Sequence, residues 1–217
     1  YCDVPESWSR TEAQPWLYRD WVVQALNRDL PYDRFVKLQL AADEMPGTDP
    51  QDLAALGMLG LSPSYWKELK LAPDVIKTVV AEEWEERIHT VSSTILGVTV
   101  ACARCHDHKF DPVSQRDYYA LAGVFASTRP VARPLLPDAE ARAVMQARAR
   151  VKTLEEQAKQ WQAGAAKEKD AASASALKEK AEAALREAAE LKRTTPGYDA
   201  PTAYAVEGAY LDVLPDG

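Results

Sequence analysis

The sequence predicts a mainly α-helical chain with an antiparallel helical hairpin inserted in it. Three observations predict this. The chain of 217 residues holds only nine Gly and three Phe, and several stretches are alanine-rich, which favours helices over sheet. Ile76, Val80, Trp84, Ile88, Val91 and Ile95 recur every three or four residues, the stripe of an amphipathic helix. A change of composition from Asp138 to Thr195, dominated by Ala, Glu, Lys, Gln and Arg, carries a second and a third run of three-four spacing.

The elements follow in order. "QPWLYRDWVVQALN" predicts a first helix from about Pro15 to Asn27, with Trp16, Trp21, Val22 and Leu26 turned inward. "RDLPYD" breaks it. Pro31 suits the first turn of the next helix, because proline has no N–H to leave unpaired there. Phe35, Leu38 and Leu40 give that helix its apolar part, and Pro46-Gly47 ends it. "DPQDLAALGMLGLSPS" predicts a short helix stopping at Ser62-Pro63. Pro73-Asp74 opens the striped helix, and Gly97 loosens its end. After Pro112, "SQRDYYALAGVFASTRP" predicts a further helix with Ser114 as N-cap and Pro130 beyond its end.

In the composition-shifted region, Val144, Ala147, Val151, Leu154, Ala158 and Trp161 form one seam. Leu177, Ala181, Ala184, Ala188 and Leu191 form the other, and the join falls near residues 164–175. "YAVEGAYLDV" alternates and predicts a strand. The expected organisation is a helical domain over 1–137, the hairpin over 138–195, and a tail over 196–217. That tail returns to the core or leads to a further domain.

The totals set limits on function. A net charge of −7 argues against a nucleic-acid partner, which calls for a basic face. No stretch approaches the about 20 apolar residues of a membrane-spanning helix. A start at Tyr1 is expected of a processed product or a piece of something longer. Three cysteines do not make a disulfide scaffold, and the odd count leaves Cys2 free or paired elsewhere.

"ACARCHDHKFDP", from Ala101 to Pro112, concentrates the chemistry: it holds two of the three cysteines and two of the three histidines. A haem of the c type needs two thiols to add across the porphyrin's vinyl groups. It also needs an adjacent His to reach the iron from the same side. Cys102, Cys105 and His106 satisfy that spacing. The competing chemistries fit less well. A thioredoxin-like pair sits after a strand in a βαβ unit, and here a long helix precedes it. Zinc draws its ligands from two separated pairs, whereas Cys102, Cys105, His106 and His108 fall within seven residues. A Cys102–Cys105 disulfide is small and strained. The spacing favours haem and leaves zinc and thiol chemistry as alternatives.

The stretch "LGVTVACARCHDHKFDPVSQRDYYALAGVFASTRPV" resembles the cytochrome-type domain of the large secreted planctomycete proteins, long described as a domain of unknown function. "YRDWVVQALNRDLPYDRFVKLQLAAD" and "GMLGLSPSYW" resemble its upstream and middle blocks. The resemblance covers residues 1 to about 135, and the tail from about Thr202 more weakly. It implies an exported protein, placed in the periplasm or at the cell surface, often with a second haem-type domain upstream. Cys2 and His89 depart from the pattern: a small residue is expected at the first and an acidic one in "ERIHT". The hairpin is a variable insertion in such proteins.

The resulting expectation is an irregular helical c-type cytochrome domain carrying one haem c. Cys102 and Cys105 hold the cofactor, and His106 is the proximal iron ligand. Its function is electron transfer within a larger exported redox protein, toward a redox partner protein or a neighbouring haem domain. The alternatives are a catalytic haem domain with an open distal site, and a non-haem interaction module. The distal ligand decides between carrier and catalyst. His89 is the intrachain candidate, one helical turn from Glu85 and Glu86. Met58 is core filler or a ligand. His108 cannot easily reach the opposite face of the same haem. It either serves a neighbouring haem or hydrogen-bonds Asp107 or Asp111. Arg104 and Lys109 pair with haem propionates or face water. Tyr118 and Tyr119 are pocket walls or core.

Overall fold

The computed structural model describes residues 14–62, 72–168 and 170–208. The described chain is mainly helical, with a two-stranded sheet. It divides into two units, the first running to Arg133 and resuming at Thr202, the second covering Pro134–Pro201.

The first unit begins with α1 (Trp16–Asn27) and α2 (Tyr32–Ala41). Pro31 stands just before α2, at its N-cap. A 3-10 helix follows over Pro50–Leu56, capped by the Asp49 carboxylate, which accepts from the Gln51 N–H at 2.9 Å. It leads directly into α3 (Gly57–Gly60). Polar groups tie these pieces together. The Trp21 indole N–H and the Arg28 guanidinium both donate to Asp52 Oδ1, at 2.8 and 2.6 Å, so the buried carboxylate is compensated by charge and hydrogen bond. Tyr18 Oη donates to Gln39 Oε1 at 2.6 Å. Burial against this neighbourhood pushes the Tyr18 phenol above its ordinary pKa.

The face of α1 differs from expectation. Trp21 and Ala25 are buried, while Trp16 and Leu26 are 50% and 67% exposed. The helix carries more apolar side chains than one stripe can cover, and the stripe through Trp21 and Ala25 meets the 3-10 helix with its Asp52.

α4 (Pro73–Val91) has proline in its first turn, as its sequence predicts. A π-helical turn over Ser92–Leu96 continues it. Gly97 then adopts φ +69°, a left-handed conformation that glycine takes without steric cost, and ends the helix. Ile88 is the fully covered member of the α4 stripe. Glu83 and Arg87, one turn apart, are buried too, and Arg87 Nε donates to Ser62 Oγ at 2.9 Å. Loss of hydration lowers the Arg87 pKa from its usual value, and the Glu83 charge works against that fall.

After a 3-10 turn at Val100–Arg104 come α5 (Gln115–Ala126) and β1 (Arg129–Pro134). β1 pairs with β2 (Thr202–Glu207). "RPVARP" carries two prolines, which a two-stranded sheet tolerates because each of its strands has an open edge. β2 begins two residues before the predicted alternation, and Ala209–Val213 lie outside the described residues. Gly60 makes the approach of α3 to β2 possible: a Cβ there would stand 2.4 Å from the Ala205 amide nitrogen. The core gathers Leu59, Ile88, Val100, Ala103, Tyr118, Phe125 and Val206.

The second unit is a helical hairpin of α6 (Asp138–Lys167) and α7 (Ala171–Thr194), joined through residues 168–170. Its seam is Val151, Leu154 and Ala158 against Ala181, Ala184 and Ala188, with Trp161, Leu191 and Tyr198 at the margins. Small residues let two backbones run close, which accounts for the alanine content. Arg148 closes the open end, donating to the Tyr198 and Ala200 carbonyls and stacking over the Tyr198 ring.

Candidate functional site

The Cys102–His106 turn is shaped by its winding. In a 3-10 helix, residues three apart eclipse one another. Val100–Arg104 is wound this way, with Cys105 as its C-cap, so Cys102 and Cys105 fall on one side. Both are free thiols and both are exposed. Ala103, between them, points the other way and is completely buried in the core with Ile88, Tyr118 and Phe125. His106 is exposed, its Nδ1 2.8 Å from the Asp107 carbonyl oxygen. The structure thus brings Cys102, Cys105 and His106 to the surface of one short turn.

Neighbouring elements hold that turn. The Arg104 guanidinium, open to water on one side, pairs with Glu85 of α4. The Arg104 carbonyl accepts from Gln115 Nε2 at 3.1 Å and from Tyr119 Oη at 3.2 Å. Asp107 Oδ1 accepts from the Gln115 N–H at 2.8 Å. Ser114 caps α5 as predicted, in a reciprocal capping box: its hydroxyl accepts from the Asp117 N–H, while Asp117 Oδ2 accepts from the Ser114 N–H at 2.8 Å. Those Ser114 bonds hold the Asp117 carboxyl below the ordinary Asp range. Tyr118 lies beneath, its phenol pushed up by burial and by the Glu85 charge.

His108 has a different surrounding from His106. Its side chain is only 12% exposed. Nδ1 accepts from the Asp111 N–H at 2.9 Å and the Phe110 N–H at 3.3 Å, and the Asp111 carboxylate lies 3.2 Å from the same nitrogen. The ring thus takes part in organising its own loop through Asp111, as its position in the sequence allows. Lys109 lies over the Phe110 ring, 5.0 Å from its centroid. His89 is exposed on the last turn of α4, one turn beyond Glu85. Met58 is half-buried on α3. Cys2 lies outside the described residues.

The sequence reading missed Glu85, Gln115 and Tyr119 as partners of Arg104. Each reaches Arg104 from another helix, and no local pattern marks such a bond. The apolar ground around the motif is visible as well. Phe110 is 83% exposed on the motif's own loop, and Tyr119 of α5 is exposed beside Arg104. Among the described residues, no three or more His, Cys, Asp and Glu side chains converge as a ready-made metal cluster. No described helix is long and apolar enough to cross a membrane.

Comparison with known proteins gives one result. No curated protein and no solved structure matches the chain. A family model matches residues 5–130, more than half of the chain, including the whole Cys102–Asp111 loop and stopping short of the hairpin. The chain belongs to the family described as PSCyt2, protein of unknown function (DUF1549).

Proposed function

We propose that the Cys102–His106 turn attaches one haem c and that the chain serves electron transfer within a larger exported redox protein. One observation carries the reading. Cys102, Cys105 and His106 stand exposed together on a turn whose Ala103 is anchored in the core. A covalent haem site asks for that combination of a fixed backbone with two outward thiols and an outward imidazole. The donor set fits the group: Cys102 and Cys105 would hold it, and His106 would be the proximal ligand. Cys102 and Cys105 would be joined to the two vinyl groups by thioether bonds, an addition that consumes no oxidant or reductant. Exposed Phe110 on the motif's own loop and Tyr119, whose Oη reaches the Arg104 carbonyl, supply apolar surface that a porphyrin can cover, lowering its contact with water. When bound, the haem supplies one-electron chemistry.

Covalent attachment through reduced thiols belongs to the handling of cysteines outside the cytoplasm, which places the domain in the periplasm or at the cell surface. The electron partner is a redox protein or a neighbouring haem domain. Denaturing mass spectrometry of chain matured with export machinery tests the reading. The expected mass is polypeptide plus one haem, lost in Cys102→Ser with Cys105→Ser. A bare polypeptide from such cells overturns it. The carrier role has its own test: a low-spin spectrum that His89→Ala turns high-spin would make His89 the distal ligand. Immediate carbon monoxide binding by the unaltered protein would instead favour catalysis at an open iron.

A further inference from the structure

We infer that Glu85, Gln115 and Tyr119 are positioning residues that act through Arg104 to align the Cys102 and Cys105 thiols; the purpose of that alignment rests on the haem-attachment reading above. Arg104 occupies the second variable position of the Cys-x-x-Cys run, between the two sulfurs it would set. Both of its ends are engaged. Its guanidinium is held by Glu85 from α4, and its carbonyl receives two donors, Gln115 Nε2 at 3.1 Å and Tyr119 Oη at 3.2 Å, from α5.

The winding of the turn needs this support. The Cys105 N–H reaches the Cys102 carbonyl at 3.4 Å, a long bond. A 3-10 turn held by such a bond frays easily, and fraying would separate two side chains that residues three apart in this winding bring to one side. The clamp on Arg104 fixes the turn from outside. Asp107 adds a second tie just past the motif, because its Oδ1 accepts from the backbone N–H of the same Gln115. Arg104 and Glu85 are partly open to water, so their ion pair alone is weak; the three contacts converging on one residue give the geometry.

The test uses the full chain without cofactor, in a Cys2→Ser background so that only Cys102 and Cys105 react. A short bifunctional thiol reagent such as dibromobimane is added, and the closing of its second bond is compared with single-thiol alkylation by iodoacetamide. The closing step depends on the effective concentration of one sulfur near the other. Glu85→Gln and Tyr119→Phe are each expected to slow closing about fivefold, the effect of roughly 1 kcal/mol, while alkylation stays unchanged. The double exchange Glu85→Arg with Arg104→Glu is expected to recover most of the loss. Tyr119→Phe removes a single hydroxyl from an exposed ring, so it preserves the fold even if the other variants do not. An unchanged ratio of closing to alkylation in a Tyr119→Phe chain of normal helicity, together with the same result for Glu85→Gln, would overturn the proposal. A chain that shows the clamp in this ratio yet never takes up haem upholds the clamp and overturns the cofactor reading.

Discussion

Under the Cys102–His106 turn, the core is assembled from single, dissimilar side chains: Leu59 from α3, Ile88 from α4, Val100 and Ala103 from the turn, Tyr118 and Phe125 from α5, Val206 from β2. Along α6 and α7 the seam instead repeats small and branched residues at helical intervals, with three alanines of α7 facing Val151, Leu154 and Ala158. The first arrangement draws on five segments to hold one non-repeating turn in place. The second holds two straight rods together and presents no group of unusual chemistry. Specific chemistry therefore sits where the packing is irregular, because only there does the backbone leave a regular path and turn short, reactive side chains outward.

The largest effect should come from hollowing the two cores. Ile88→Ala is expected to cost ~4 kcal/mol in urea unfolding, and Leu154→Ala ~3 kcal/mol, the usual cost of a buried cavity. Only the first should also disturb thiol cross-linking at Cys102 and Cys105. A Leu154→Ala chain with altered cross-linking would break the contrast between the units.

Two glycines give opposite signs. Gly60→Ala forces a Cβ to within 2.4 Å of the Ala205 nitrogen, in backbone that cannot swing aside. The expected loss is ~3 kcal/mol by urea denaturation. Gly164→Ala, inside α6, meets only the Leu177 Cδ1 at 3.5 Å, an ordinary contact. It should stabilise the hairpin by ~1 kcal/mol, the difference in helix propensity, seen as a raised melting temperature. Equal destabilisation by both would show that the hairpin is packed as tightly as the motif unit.

Acid should touch both units alike. Asp117 at the start of α5 and Asp170 before α7 each accept from a serine N–H and hydroxyl, and those bonds lower both carboxyl pKa values. A folded pKa below the unfolded one gives stability that is present above about pH 4 and disappears as pH falls through the lowered value. Thermal melts between pH 5 and pH 2 should show this loss. Asp117→Asn and Asp170→Asn should each flatten it, whereas an unchanged acid slope would remove the caps from the account.

The smallest expected effect is none. Leu135 N–H donates to the Pro201 carbonyl at 2.8 Å, so the two ends of the hairpin segment already meet. Replacing residues 138–195 by a short Gly/Ser linker should leave the visible spectrum of matured protein unchanged. On the proposed haem attachment, a shifted spectrum in soluble protein would count against an independent hairpin.

Legibility in the sequence divides along the same line. The bounds of α6 and α7 could be read closely, since a seam of three-four spacing over two dozen residues has a single helical solution. The α4 start, the Ser114 cap and the α1 limits were legible for similar local reasons. The inward face of α1 was not. Trp16, Trp21, Val22, Val23 and Leu26 nearly encircle that helix, and the choice of Trp21 depends on Asp52, 31 positions away. Glu83 and Arg87 look like an ordinary solvated pair one turn apart, yet they are buried where Arg87 meets Ser62, 25 positions back. β1 was hidden because its prolines signal a loop, and its partner lies at the far end of the described chain. The motif itself was plain, while the residues that hold it were invisible, because hydrogen bonds between helices leave no periodicity.

The left-handed Gly97 that ends α4 also bears on the order in which the molecule can assemble. By reversing the chain it brings Arg104 back to Glu85 across a separation of 19 residues, and Gln115 and Tyr119 reach Arg104 across 11 and 15. Loops this short close at little entropic cost. The meeting of Gly60 with Ala205 joins positions 145 apart and comes after a slower search. The contacts of Arg104 with Glu85, Gln115 and Tyr119 can therefore form early, and Val206 of β2 completes the core beneath the turn afterwards.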